Sequence, residues 1–199
     1  MLPQFNERRL SSLKKASRFK VFLPGARGVY GSRETGASLF DRFWSSVTAM
    51  PFDCSVPLDF SEVRFIDVSA ADEFLCKILQ RLRSGELAGR YVFISSARPE
   101  VIATLELTLQ ARKLACLLEE SGSFRIVGDL SQPLQETLVQ VCKRGFATAN
   151  ELANGMKHSK SKLNIICNRL NTLSRWGLVH REREGAPKPG RQYSYHSIV

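Results

Sequence analysis

SKSKLNIICNRLNTLSRW, residues 159–176, places Leu163, Ile166, Cys167, Leu170 and Leu173 at helical offsets of three, four and seven. A helix buries residues so spaced along one stripe, and the stretch is expected to be amphipathic. Its other face is cationic and rich in amides. Lys160, Lys162, Arg169 and Arg175 lie on or beside that face with Asn164 and Asn168 among them, and Lys157 and His158 stand just ahead of the first turn. Lysine and arginine neutralise phosphate, and asparagine pairs with the edge of adenine, so this composition suits a helix laid in a DNA groove. A basic surface helix serving solubility has the same composition, and the flanking sequence distinguishes the two.

Downstream, Gly177 ends the helix, and two strand-like segments, residues 178–183 and 191–196, flank EGAPKPG. That proline and glycine turn carries Lys188, and Arg181, Arg183 and Arg191 add positive charge to the hairpin. Upstream, a helix with Leu134, Leu138, Val141 and Cys142 inward ends at Gly145. Thr148 then caps a second short helix with Leu152 and Met156 inward. Three helices joined this closely form a small bundle in which the third crosses the second, a helix-turn-helix arrangement.

Charge separates this region from the rest of the 199-residue chain, whose formal net charge is +10. Residues 1–20 carry six Lys or Arg against one acid, residues 21–128 twelve against thirteen, and residues 129–199 eleven against five. Two basic ends around a neutral middle point to a nucleic-acid partner, although an anionic membrane surface attracts the same charge. No apolar run reaches the length of a membrane span and the N-terminus has no secretory core, so a cytoplasmic protein is expected. The five cysteines are odd in number, far apart and without a CxxC pair, and the three histidines do not join them at ligand spacing. Neither a disulfide framework, a metal site nor a cofactor is expected.

The neutral middle reads as an α/β layer. Residues 1–17 fit a short basic helix or a mobile arm, and residues 18–23 a half-buried strand. GARGVYGSRETG matches neither GxGxxG nor GxxxxGK[ST] and reads as a connection. Residues 33–50 form a helix with Leu39, Phe40, Phe43, Trp44 and Val47 apolar, closed by Pro51. Residues 55–63 form a strand in which Pro57 demands a strand start, a bulge or a free edge. A helix follows over 70–83 with Ser69 as N-cap, then a strand covered on both faces at 90–95, a helix over 99–120 broken near Thr108, and a last strand at 124–127. That alternation predicts helices against a mostly parallel sheet. The expected organisation is an arm over 1–17, an α/β domain over 18–128 and a helix-turn-helix domain over 129–199, with DLSQP at 129–133 as a short linker.

NRLNTLSRWGLVHRERE, followed by the Gly/Pro turn and a strand, resembles the recognition helix and wing of winged helix-turn-helix regulators of bacteria. The resemblance implies that Ser159, Lys160, Ser161, Lys162 and Asn164 enter a major groove while the wing grips adjoining backbone. The SRETG of residues 32–36, LDFSEV of 58–63 and SAADEFL of 69–75 make the middle similar to STAS-like domains, relatives of anti-sigma-factor antagonists. In those antagonists a serine at a helix start is phosphorylated in a DSSG-like setting. Here Asp67-Val68-Ser69-Ala70 has valine at the first serine position and alanine at the glycine, and Ser69 is the candidate regulatory residue.

The expected function is a transcriptional regulator that binds double-stranded DNA, as a homodimer, with the STAS-like domain dimerising, sensing a small ligand or docking a regulatory protein. The alternative is a partner-switching interaction protein without DNA contact. An enzyme is not expected. The first domain lacks histidine, which excludes a Ser69-His dyad within it. Asp59, Asp67, Asp72 and Glu73 read as dipole complements more readily than as catalysts.

Overall fold

The computed structural model describes residues 13–120, 123–155, 160–183 and 193–199. Its centre is a parallel-dominated sheet with a strand order that follows the helical crossovers. Strand β4 (Cys54–Asp59) is flanked on one side by β1 (Lys14–Lys15) and β2 (Phe19–Lys20), and on the other by β6 (Arg90–Ser96), then β7 (Ala115–Glu120) and β8 (Ser123–Gly128). Every pairing is parallel except that of β7 with β8, which is antiparallel. A small parallel pair, β3 (Val29–Tyr30) with β5 (Phe65–Ile66), lies outside this sheet. The β4–β6 register shifts between Leu58 and Asp59.

Helices α1 (Arg33–Thr48), α2 (Val68–Ala71), α3 (Lys77–Ser84) and α4 (Pro99–Ala111) cover one face of the sheet. Ser32 and Thr35 start α1 with a reciprocal capping box: the Thr35 N–H donates to Ser32 Oγ at 3.2 Å and the Ser32 N–H to Thr35 Oγ1 at 3.2 Å. Gly36 then lets α1 cross α2 backbone to backbone, since a Cβ there would lie 2.7 Å from the Ala70 carbonyl oxygen. Between α2 and α3 runs a π-helical turn, Asp72–Cys76, which keeps Phe74, Leu75 and Cys76 buried.

The other face is covered by the C-terminal part of the chain, and β6 and β7 show how one sheet serves both. Val92, Ile94, Cys116 and Leu118 turn to α1–α4, while Tyr91, Phe93, Ala115 and Leu117 turn the other way. Side chains alternate along a strand, so a continuous apolar run supplies two cores. The second core takes in Leu130, Leu138, Val141, Leu170, Leu173, Leu178, Val179 and Ile198.

Several expectations need correction. Residues 14–15 are neither helix nor arm: they pair with Cys54 and Ser55, and the Lys14 N–H donates to the Asp53 carbonyl at 2.9 Å. The helix expected over 99–120 stops at Ala111. Lys113 takes φ 53°, the Leu114 N–H donates to the Leu109 carbonyl at 2.9 Å, and ACLLEE turns into β7, because its apolar residues are wanted on two faces at once. The free edge that Pro57 demands is local, since the residue sits inside β4 opposite the break between β1 and β2. Its two neighbours of the same parity, Ser55 and Asp59, accept from Ala16 and Val21, so the missing donor falls where no strand pairs.

Ser69 is not the N-cap. It lies half-buried inside α2, and Asp67 caps that helix, with its Oδ1 accepting from the Ala70 N–H at 2.7 Å. Asp67→Ala should therefore cost about 1 kcal/mol, read as a shift in the urea midpoint at constant slope. Ser69→Ala should fall within about 0.5 kcal/mol of the parent, and the reverse order of effects would restore the serine as cap.

Candidate nucleic-acid interface

The C-terminal part folds in the order helix, strand, helix, helix, hairpin. Helix α5 (Gln132–Arg144) ends at Gly145, whose φ of 76° turns the chain into β9 (Phe146–Thr148). Helix α6 (Ala149–Gly155) begins at a second capping box: the Glu151 N–H donates to Thr148 Oγ1 at 3.3 Å and the Thr148 N–H to Glu151 Oε2 at 2.8 Å. Helix α7 (Lys160–Arg175) packs on α5 and α6, and β10 (His180–Arg183) with β11 (Tyr193–His196) forms an antiparallel hairpin. Strand β9 pairs antiparallel with β11, making a three-stranded sheet in the order β10–β11–β9.

Helix α7 divides as its periodicity requires. Ile166, Leu170 and Leu173 are buried, and Asn164 and Asn168 are exposed one turn apart. Between the asparagines stands Ile165, 48% exposed, which the sequence pattern does not single out because isoleucine at a helical position reads as core. Two carboxamides and an apolar side chain on one exposed turn can pair with adenine and lie against a thymine methyl group. Lys160, Ser161 and Lys162 form the first turn of the helix. Farther along, Asn171 is committed elsewhere, its Oδ1 accepting from the Tyr195 hydroxyl at 3.0 Å and tying α7 to β11.

On the hairpin, Arg181 and Arg183 are exposed, two residues apart on β10 and opposite Tyr195 and Tyr193. The Arg181 guanidinium lies 3.6 Å from the Tyr193 ring centre, a stacking that holds the group extended along the strand. Lys157, His158, Ser159, Lys188 and Arg191, also expected at this surface, lie outside the described residues.

The hairpin is anchored to the central sheet. His180 is buried, with Nδ1 3.0 Å from the Tyr91 hydroxyl, and His196 Nε2 lies 3.0 Å from Ser194 Oγ and 3.5 Å from Glu182 Oε2. On the far side the Arg83 guanidinium stacks 3.6 Å over the Trp176 ring and donates to the Lys113 carbonyl at 2.9 Å. Burial holds the His180 imidazole below its ordinary value, against the opposing pull of the Asp53 and Glu182 carboxylates, and it pushes the Tyr91 phenol up to about 12. Above the unfolded histidine value, about 6.5, both states are neutral at this site. As pH falls below it the unfolded chain takes a proton that the folded chain refuses, so stability declines toward the folded pKa. Urea midpoints from pH 8 to 5.5 should fall, and His180→Phe should flatten that slope.

The carboxylates set aside above are engaged locally. Asp59 accepts from the Ser61 N–H at 2.9 Å, Asp67 caps α2, Asp72 pairs with Arg112, and Glu73 lies 2.7 Å from Lys77 Nζ. The Arg112 guanidinium holds the Asp72 carboxyl below its ordinary value. Among the described residues no three His, Cys, Asp or Glu converge on a metal-sized site, and no helix is long and apolar enough to cross a membrane. The sequence matches no protein-family model and no curated protein.

Proposed function

We propose that the chain is a DNA-binding regulator in which the C-terminal part acts as a winged helix and α7 is its recognition helix. The observation that carries this reading is the division of α7. One face is locked into the α5–α6 bundle, while Asn164, Ile165 and Asn168 are exposed on the other, and Arg181 and Arg183 are exposed on the hairpin. The strand order β10–β11–β9, with helices before and after β9, supports the winged-helix assignment. In this reading Asn164, Ile165 and Asn168 read base edges, and Lys157, His158, Ser159, Lys160, Ser161, Lys162, Lys188 and Arg191 supply phosphate contacts and orientation. The N-terminal layer, STAS-like in this proposal, is the regulatory part.

Fluorescence anisotropy with a mixed-sequence duplex tests the proposal. About six phosphate contacts give a log–log salt slope near −5, from about −0.9 per contact. A slope near zero, or no binding at low salt, overturns it.

One observation favours the alternative, a protein-docking switch. Val29 and Phe65 face each other across β3 and β5, 48% and 52% exposed, and Val68, 56% exposed, stands next to Ser69. Such a grouping of apolar side chains suits a protein partner. Loss of duplex binding with Lys-to-Ala changes on α7 separates the two readings, because the apolar group lies on the N-terminal layer.

A further inference from the structure

We propose that β8, an edge strand of the central sheet, is where a second copy of this chain docks, strand to strand and antiparallel about Ile126. The direction of the free backbone follows from the ladder. The Asp129 N–H donates to the Leu114 carbonyl at 2.7 Å, so odd-numbered residues of β8 turn to β7 and Phe124, Ile126 and Gly128 turn outward. Among the described residues none pairs with those outward N–H and C=O groups.

The two edges of the sheet are built differently. At the far edge, β1 and β2 are two residues each and contribute Lys14, Lys15 and Lys20, the short and lysine-bearing strands with which proteins discourage pairing. Strand β8 has six residues, SFRIVG, with neither lysine nor proline. Beside it lies a groove of about 730 Å³, walled by Phe124 and Ile126 on the strand and by Val139 and Cys142 on α5, with Gln135 and Lys143 toward its ends. An added strand receives main-chain hydrogen bonds from the edge and places alternate side chains in such a groove.

The charges select a second copy as the occupant. Helix α5 carries Glu136 early and Lys143 and Arg144 in its last turn, all exposed. A two-fold axis runs the second α5 in the opposite direction, so each Glu136 faces the cationic end of the other helix. Centring the axis on Ile126 opposes Ile126 to itself and Phe124 to Gly128, which uses every outward backbone group. It also sets Arg125 opposite Val127 of the second copy, so that no like charges stand directly opposed. Arg125 remains with Glu106 and Glu120, at 3.6 Å and 3.7 Å. Docking at β8 does not require DNA.

Sedimentation equilibrium of the full chain from low to high micromolar concentration tests the interface. The expected mass is twice the 22.4 kDa of the chain, falling by half in Ile126→Lys with the far-UV circular dichroism unchanged. Amide exchange on the parent protein gives a second readout, with Phe124, Ile126 and Gly128 exchanging more slowly as concentration rises. A monomer at all concentrations overturns the proposal. So does a dimer in which those three amides exchange at concentration-independent rates, or one that persists in folded Ile126→Lys. If that variant does not fold, the exchange rates of the parent decide.

Discussion

Phe93→Ala should lower the stability of the whole chain by about 3–5 kcal/mol, the cost of removing a fully buried phenylalanine and leaving a void. Phe93 is 0% exposed and stands on the face of β6 that receives Leu138, Val141 and Val179, while its neighbours Val92 and Ile94 serve the opposite core. The loss should appear in one transition. Trp44 packs against the α1–α4 core and Trp176 against the second core, where Arg83 of α3 also stacks on it, so single-tryptophan variants give one fluorescence signal from each core. Coincident denaturation midpoints, both displaced by Phe93→Ala, are the expected result. If only the Trp176 signal moves, the layers fold independently and the shared sheet is not a cooperative link.

Lys160→Ala with Lys162→Ala should weaken duplex binding by about 30-fold at 0.15 M salt and reduce the salt slope by about 1.8, the share of two phosphate contacts. Both positions lie in the first turn of α7, where the backbone N–H groups have no intrahelical acceptor and a cation opposes the helix dipole, so removing the two lysines costs the helix little. The thermal midpoint should therefore stay near that of the parent, which distinguishes lost contact from lost fold. Unchanged affinity with an unchanged slope would move the contact off this helix.

Periodicity made α1, α5 and α7 legible, because each buries one stripe and exposes the rest. It failed at ACLLEE. Cys116 and Leu118 belong to one core and Ala115 and Leu117 to the other, so β7 presents an unbroken apolar run that reads as the tail of α4. Strand β9 was hidden for another reason: FAT is three residues long, and its pairing partner β11 begins forty-five residues after it ends. Ser69 looked like a cap because cap chemistry is shared by serine and aspartate, and only the Asp67–Ala70 hydrogen bond decides between them. At the candidate interface the asparagines and arginines were visible from composition. Ile165 was not, because its exposure depends on where the bundle ends and solvent begins.

The sheet with two cores makes the C-terminal part a poor module for transplantation. Cut from the chain at the start of α5, it would present Leu138, Val141, Val179 and Ile198 to water where Tyr91, Phe93, Ala115 and Leu117 now lie against them. It would also strand the His180 imidazole without the Tyr91 hydroxyl. A fusion that borrows α7 and its hairpin for a new scaffold must carry β6 and β7 along, so the smallest portable unit of this protein is nearly the whole of it.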